Sequence, residues 1–198
     1  MSMYHQGTRE LQSRFGSTAL ADRLVEKTLR AQFTSADKEF IEGCSVFFLA
    51  TADAHAHPDC SFKGGAPGFV QVVAPDLLVF PDYDGNGMFK SLGNVLVNAD
   101  VGLLFIAMHG KPRRLRVNGS ASVSDSDPLL SETVGAQLIV RVEARAIFPN
   151  CPRYIPNLQM VSQSIYTPQP KCEPPEPAWK SFDSFKDAVH PRQPTWKG

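Results

Sequence analysis

Phe80-Pro-Asp-Tyr-Asp-Gly-Asn-Gly-Met-Phe-Lys-Ser-Leu-Gly-Asn94 carries an apolar strand end into a polar glycine turn and out into a helical pattern. Leu77-Leu-Val-Phe80 is a strand-length apolar run. Beyond the turn, Met88 or Phe89, Leu92, Val95 and Leu96 recur at helical spacing and stop near Asn98. From Cys44 to Phe148 this is the only helical interruption of a strand-and-turn grammar, so its reading decides the fold. The chain on either side supplies the strands.

Upstream, Val46–Thr51 is a strand, and Asp53-Ala-His-Ala-His-Pro58 is a turn leading back. Phe69–Val73 and Leu77–Phe80 are strands hinged at Ala74-Pro-Asp76. Downstream, Val101–Met108 and Arg113–Val123 join through His109-Gly-Lys-Pro112. The last strand, Leu138–Phe148, alternates Val140, Val142, Ala144, Ala146 and Phe148 against Arg141, Glu143 and Arg145, which predicts one buried face. Six strands with one internal helix and few long crossovers predict a mainly β, α+β architecture: an antiparallel barrel with helices outside it. A doubly wound sheet needs a helix between most strands.

The ends differ from this middle. Ala21, Val25 and Leu29, with Leu20, Leu24 and Thr28, fall at helical spacing after the capping candidates Ser17 and Thr18. A second helix starts at Thr34 or Ser35, with Asp37 and Glu39 near its positive end, and stops at Gly43. Half of the 16 prolines lie between Pro149 and Pro177, which predicts an extended arm. Trp179, Phe182, Phe185 and Trp196 are too apolar for a free tail, so a short Ser181–Val189 helix is expected to dock on the body or on a partner. The organisation is therefore residues 1–43 as helices packing on the barrel, 44–150 as the barrel and 151–198 as the arm, within one structural domain.

Composition narrows the function classes. Twenty basic residues balance twenty acidic ones, so no global field points to nucleic acid or an acidic membrane. The apolar runs are too short to span a bilayer, and the polar N-terminus holds no signal-like apolar stretch, so the expected location is cytoplasmic. Cys44, Cys60, Cys151 and Cys172 form no C-x-x-C pair and read as free thiols.

Asp82-x-Asp84-x-Asn86-Gly87 has the opening spacing of an EF-hand calcium loop. That loop needs a bidentate Glu at its twelfth position and a helix on each side. Gly93 stands there, Lys90 stands at the ninth position, and a strand precedes the loop. His55, His57, Asp59 and Cys60 include zinc- or iron-ligating types but read as a polar hairpin tip. No metal site is expected. Ser61, Ser91 and the histidines show no hydrolase signature, and Gly64-Gly-Ala-Pro-Gly68 lacks phosphate-loop spacing.

A strand, a glycine turn and a helix starting near Asn86 or Gly87 would instead suit a phosphate, because first-turn amides lack partners and Gly87 leaves room. Tyr83 is placed to lie beside an aromatic ligand, and Asp82 to bond a ring N–H. Lys63 is one candidate counter-charge. Alternation in Arg113-Arg-Leu-Arg-Val-Asn-Gly119 puts Arg114, Arg116 and Asn118 on one face, opposite Arg113, Leu115 and Val117. Alone, such charges also suit a solvated edge strand.

In order and spacing these segments resemble the FMN-binding split barrels related to pyridoxamine 5′-phosphate oxidase, over roughly Cys44 to Phe148. Phe80-Pro-Asp-Tyr-Asp-Gly-Asn stands where that family has its turn, Arg113-Arg-Leu-Arg-Val-Asn-Gly119 resembles its following strand, and Pro58-Asp-Cys-Ser-Phe-Lys63 resembles the paired strand. The resemblance implies a six-stranded antiparallel split β-barrel with flanking helices. It implies FMN as cofactor, with Lys63 and Ser61 at the phosphate, Asp82 and Tyr83 along the flavin, Asn86 and Gly87 at the helix start, and Arg114 and Arg116 at the ring. It further implies an FMN-dependent oxidoreductase acting on a small molecule, and a homodimer with the flavin between subunits. Arg153-Tyr154, or Trp179, Phe182 and Phe185, would close the site from either chain. Gly85-Asn86-Gly87 replaces the family's Ser-Arg-Lys, which points away from pyridoxamine phosphate as substrate. A flavin, deazaflavin or haem carrier and a dimeric interaction protein are the other readings.

Overall fold

The computed structural model describes residues 3–108, 110–170 and 174–190. Three helices come first: α1 (Gln6–Arg14), α2 (Thr18–Thr28) and α3 (Ser35–Gly43). They are followed by β1 (Val46–Ala52), β2 (Pro58–Gly64), β3 (Gln71–Ala74), β4 (Leu77–Tyr83), α4 (Lys90–Val97), β5 (Asp100–Ala107), β6 (Arg113–Ser124) and β7 (Ala136–Asn150). No helix among the described residues is long and apolar enough to cross a membrane.

Thr34 starts α3 as expected. Its hydroxyl accepts from the Asp37 N–H at 3.1 Å, and its own N–H donates to the Asp37 carboxylate at 3.0 Å. The helix is tied to the strands through Glu42, whose carboxylate accepts the Val72 N–H at 3.0 Å. The segment after α2 is fastened to the last strand, where Arg30 and Ile147 exchange backbone hydrogen bonds of 3.0 and 2.7 Å.

All pairings are antiparallel in one open seven-stranded sheet, ordered β2-β1-β5-β6-β7-β4-β3. The α+β split-barrel class is as expected, with seven strands in place of six. The seventh is β2, the segment that the resemblance gives as the paired strand Pro58–Lys63; it lies at the sheet edge and is buried at no position, so it carries little apolar signal of its own. Curling brings this edge back toward β4, where Lys63 Nζ meets Asp82 Oδ1 at 3.1 Å. Within the curl, the Phe47 ring contacts those of Phe69, Phe80 and Phe105, with centroids 5.9, 5.0 and 5.1 Å apart. Leu49, Leu78, Leu103, Leu115, Val117 and Val140 complete that core.

Three expectations need correction. On β7, Ala146 and Phe148 are not on the core face; Ile147 is, with no exposed surface. The pairing jumps from Asn118↔Ala146 to Gly119↔Ala144, so Arg145 is an extra residue and reverses the alternation. The expected Ser181–Val189 helix is a single 3-10 turn at Ala178–Ser181 followed by hydrogen-bonded turns such as Phe185 N–H to Phe182 C=O. Helix α4 starts at Lys90, three residues beyond Gly87, because Phe89 takes a left-handed conformation (φ 47°) that delays it. Cys172 and Trp196 lie outside the described residues.

Candidate functional site

Six of the eight sequence-derived site residues line one cleft of about 430 Å³: Ser61, Lys63, Asp82, Tyr83, Asn86 and Gly87. β2 forms one wall, and the end of β4 with the turn into α4 forms the other. Asp59, Lys90, Ser91 and Gln137 also line it. Gly87 sits at φ 74° with open space where a side chain would project. The delayed start of α4 moves Asn86 and Gly87 away from the helix amides, so the expected phosphate seat at a helix terminus does not form there.

The polar groups of the cleft are mostly engaged with one another. Asp82 accepts from Lys63 at 3.1 Å and from the Gln137 amide at 3.0 Å. Asp59 accepts from the Ser91 hydroxyl at 2.9 Å, which fastens α4 to β2. Asp84 accepts from Lys180 of the C-terminal arm at 2.8 Å, and the Asn86 carboxamide oxygen accepts the Met88 N–H. The three side chains that open a calcium-loop pattern therefore hold separate parts of the protein. Ser61 Oγ differs, being buried with no hydrogen-bond partner among the described residues. Burial pushes the Tyr83 phenol up to about 12, so it stays protonated at neutral pH.

Arg114 and Arg116 lie elsewhere. Ser61, Leu49, Leu103 and Val117 stand directly opposite one another across β2-β1-β5-β6, and the latter three point into the core. Phe62, Phe48, Leu104, Arg116 and Phe148 form the next row, on the outer face, where Phe62 remains 63% exposed. Lys63 and Ser61 thus belong to one face of the sheet, and Arg114 and Arg116 to the other. Their charges do not protect an edge, because β6 lies between β5 and β7. Arg114 and Arg116 pair with no carboxylate among the described residues, whereas Arg9, Arg23, Arg30, Arg113, Arg141 and Arg145 all do.

Sequence reasoning missed Gln137 and Lys180 at the cleft. Gln137 is reached only through the β4–β7 register, and Lys180 lies 96 positions from Asp84. Neither carries a local signal.

Beyond β7 the outer face continues to Cys151. Its exposed thiol accepts from Arg153 Nε at 3.2 Å, and it is held below the ordinary cysteine value first by the Arg153 backbone and side-chain hydrogen bonds and then by the charges of Arg153 and Arg114. Burial instead pushes Cys44 up to about 11. Limited iodoacetamide at neutral pH is expected to alkylate Cys151 well before Cys44, with Arg153→Gln slowing Cys151. Peptide mass spectrometry reads this, and equal labelling of both thiols would contradict it.

The fold and these positions define a split-barrel protein with a cleft of small-molecule size between β2 and the turn into α4. The sequence profile of pyridoxamine 5′-phosphate oxidase matches residues 33–165, and the chain belongs to that family. Its backbone is similar to HupZ of Group A Streptococcus (TM-score 0.48, 14% identity, 64% of this chain and 99% of that one). It is also similar to a putative pyridoxamine 5′-phosphate oxidase of Lactobacillus delbrueckii (0.47, 20%, 60% and 95%). A third is an FMN-binding protein of Syntrophomonas wolfei (0.46, 12%, 72% and 97%). A comparison with curated proteins gives no match.

Proposed function

We propose that this protein is an FMN-binding flavoprotein and oxidoreductase, with the flavin held where the cleft of one copy meets the Arg114–Arg116 face of a second. One observation carries the reading: the cleft and the unpaired cations lie on opposite faces of one sheet, so a single chain offers either but not both.

The residues fit the parts of FMN unequally. The cleft has the size of a small-molecule site, Tyr83 in its wall, and the unpartnered Ser61 hydroxyl directed at it. The Lys63 charge is balanced by Asp82, and Asp59 and Asp84 add negative charge, so the cleft alone is a poor seat for a dianionic phosphate. Arg114 and Arg116, unopposed by any carboxylate in their row, supply what it lacks. The surrounding outer face offers Phe48, Phe62, Leu104 and Phe148, an apolar surface suited to a second copy.

Bound FMN would supply the hydride or electron chemistry. The chain's own part is to hold the ring, exclude water and set charge beside it. A guanidinium at the ring edge favours negative charge there and so raises the potential. A second reading, a flavin, deazaflavin or haem carrier without turnover, is favoured by a different observation: Asp59, Asp82 and Asp84 all accept hydrogen bonds within the chain, leaving no unengaged carboxylate in the cleft to move a proton.

Purified protein titrated with FMN is expected to quench its fluorescence and to weaken in affinity on dilution, as dimers separate in light scattering. Arg114→Ala is expected to cost about tenfold in affinity, the scale of one charge-assisted hydrogen bond. A colourless protein that leaves FMN fluorescence unchanged would overturn the reading. Saturable binding without reduction by any pyridine nucleotide, and without electron transfer to any acceptor, would favour the carrier.

A further inference from the structure

We infer that Arg114, Asn150 and Arg153 form a seat for the anionic group of a small-molecule ligand, a carboxylate or phosphate, with Tyr154 beside it. The seat stands on these side chains alone; its assignment to a substrate rests on the flavin reading of the same face.

The geometry begins with register. Arg114 and Asn150 are directly opposite on β6 and β7, and both point outward. Among the described residues Arg114 Nε and Asn150 Oδ1 are buried with no hydrogen-bond partner, an unsatisfied donor and an unsatisfied acceptor on directly paired positions. Unsatisfied buried polar atoms are uncommon and costly, so a pair of them at one spot marks a place where a ligand completes the structure. An exposed arginine without a carboxylate is ordinary by itself; a half-buried one whose Nε is orphaned is not.

Arg153 brings a second guanidinium to the same place. It bonds Cys151, the residue after Asn150, and pairs with no carboxylate among the described residues. Nearest to Arg114 and Arg116 the outward positions of the neighbouring strands are Ile106, Leu104 and Phe148, while the acidic residues of this face, Asp100 and Glu143, stand opposite Ser120 farther along β6, where Asp100 is paired with Arg145. Two unopposed guanidiniums beside an orphaned carboxamide oxygen suit an anion that also carries a donor N–H or O–H.

The turn carrying Arg153 is held in a costly shape. Ile155 N–H bonds Pro152 C=O at 3.2 Å, and Tyr154 takes φ 68°, a conformation glycine normally supplies. Its side chain is nevertheless 95% exposed, so no packing of this chain repays the strain. The exposed ring, carried on the residue next to Arg153, is free to cover a ligand held by the guanidiniums, which favours an aromatic anion over an aliphatic one.

The test titrates inorganic phosphate, acetate and benzoate into the full chain by calorimetry, with and without saturating FMN. Saturable binding that Arg153→Gln weakens by about tenfold or more is expected, and it persists with FMN bound. Benzoate is expected to bind better than acetate, and Tyr154→Gly to erase that difference while leaving the fold intact or slightly more stable. Phosphate binding stronger than benzoate assigns the ligand's group as phosphate, and the reverse as carboxylate; either supports the seat. Arg153-dependent binding in a protein that takes no flavin would support the seat and sink the flavin reading alone. Displacement of the anions by FMN would overturn the substrate assignment, since the seat would then be the cofactor's own. Absence of saturable binding, or binding that Arg153→Gln leaves unchanged, would overturn the inference outright.

Discussion

Gly119→Ala is expected to destabilise the protein by about 4 kcal/mol, at the upper end for one substitution. A Cβ at position 119 would stand 2.1 Å from the Glu143 carbonyl oxygen and 3.2 Å from Ala144 Cα. Both atoms belong to the backbone of β7, beside the bulge at Arg145, and cannot swing aside as a side-chain tip does. Relief would require β6 and β7 to part, which breaks the longest pairing in the sheet. The functional consequence follows from phase. The bulge turns Phe148 and Asn150 outward, opposite Arg116 and Arg114. A chain that lost it would present a different set of side chains beside the arginines. Gly93→Ala is the control: Gly93 is exposed in α4 with nothing within 4 Å of the added atom, so a gain of about 0.5–1 kcal/mol is expected there. Urea unfolding reads both, and equal midpoints for the two variants would refute the account.

The same bulge shows where sequence reading works and where it stops. A strand-length apolar run marks β5, and alternation gives the core face of β6 and the first half of β7, because a strand buried on one face repeats every two residues. One inserted residue in a long strand leaves no mark in composition, so alternation places Ala146 and Phe148 on the buried face where the structure has Ile147. β2 carried only Phe62 as an apolar residue and was weak as a strand, although its partner β1 was plain. The turn from Phe80 to Asn94 was legible as strand, turn and helix, and six residues singled out near it or on β2 do share one cleft. The left-handed Phe89 was not legible, since a non-glycine residue at positive φ is imposed by its surroundings. The separation of Lys63 from Arg114 required the order of strands across the sheet, which spacing along a chain does not contain.

Asp37→Ala is expected to cost about 3 kcal/mol and to lower the melting temperature by roughly 10 °C. Asp37 is almost fully buried, and its carboxylate takes four donors: Arg30 at 2.7 Å, Arg113 at 3.0 Å, and the Thr34 N–H and hydroxyl at 3.0 and 2.8 Å. Removing it leaves two guanidiniums facing each other without an anion and uncaps α3. Arg113 also lies over the Phe40 ring at 4.4 Å, so the loss reaches the start of β6, immediately before Arg114. Acid should act through the same group. Burial pushes the Asp37 carboxyl up, but the Thr34 hydrogen bonds and the Arg30 charge outweigh it and hold it below the ordinary carboxylate value. A carboxyl lowered by folding contributes stability that is fully present above its unfolded value, near 4, and is lost as pH falls through the folded one. Stability of the native chain should therefore decline below about pH 4, while Asp37→Asn, already weaker at neutral pH, declines less over the same interval. Thermal melts at pH 7, 5, 4 and 3 measure this directly. Parallel pH profiles for the two proteins would show that the charge of Asp37 contributes nothing to the junction of α3 and β6.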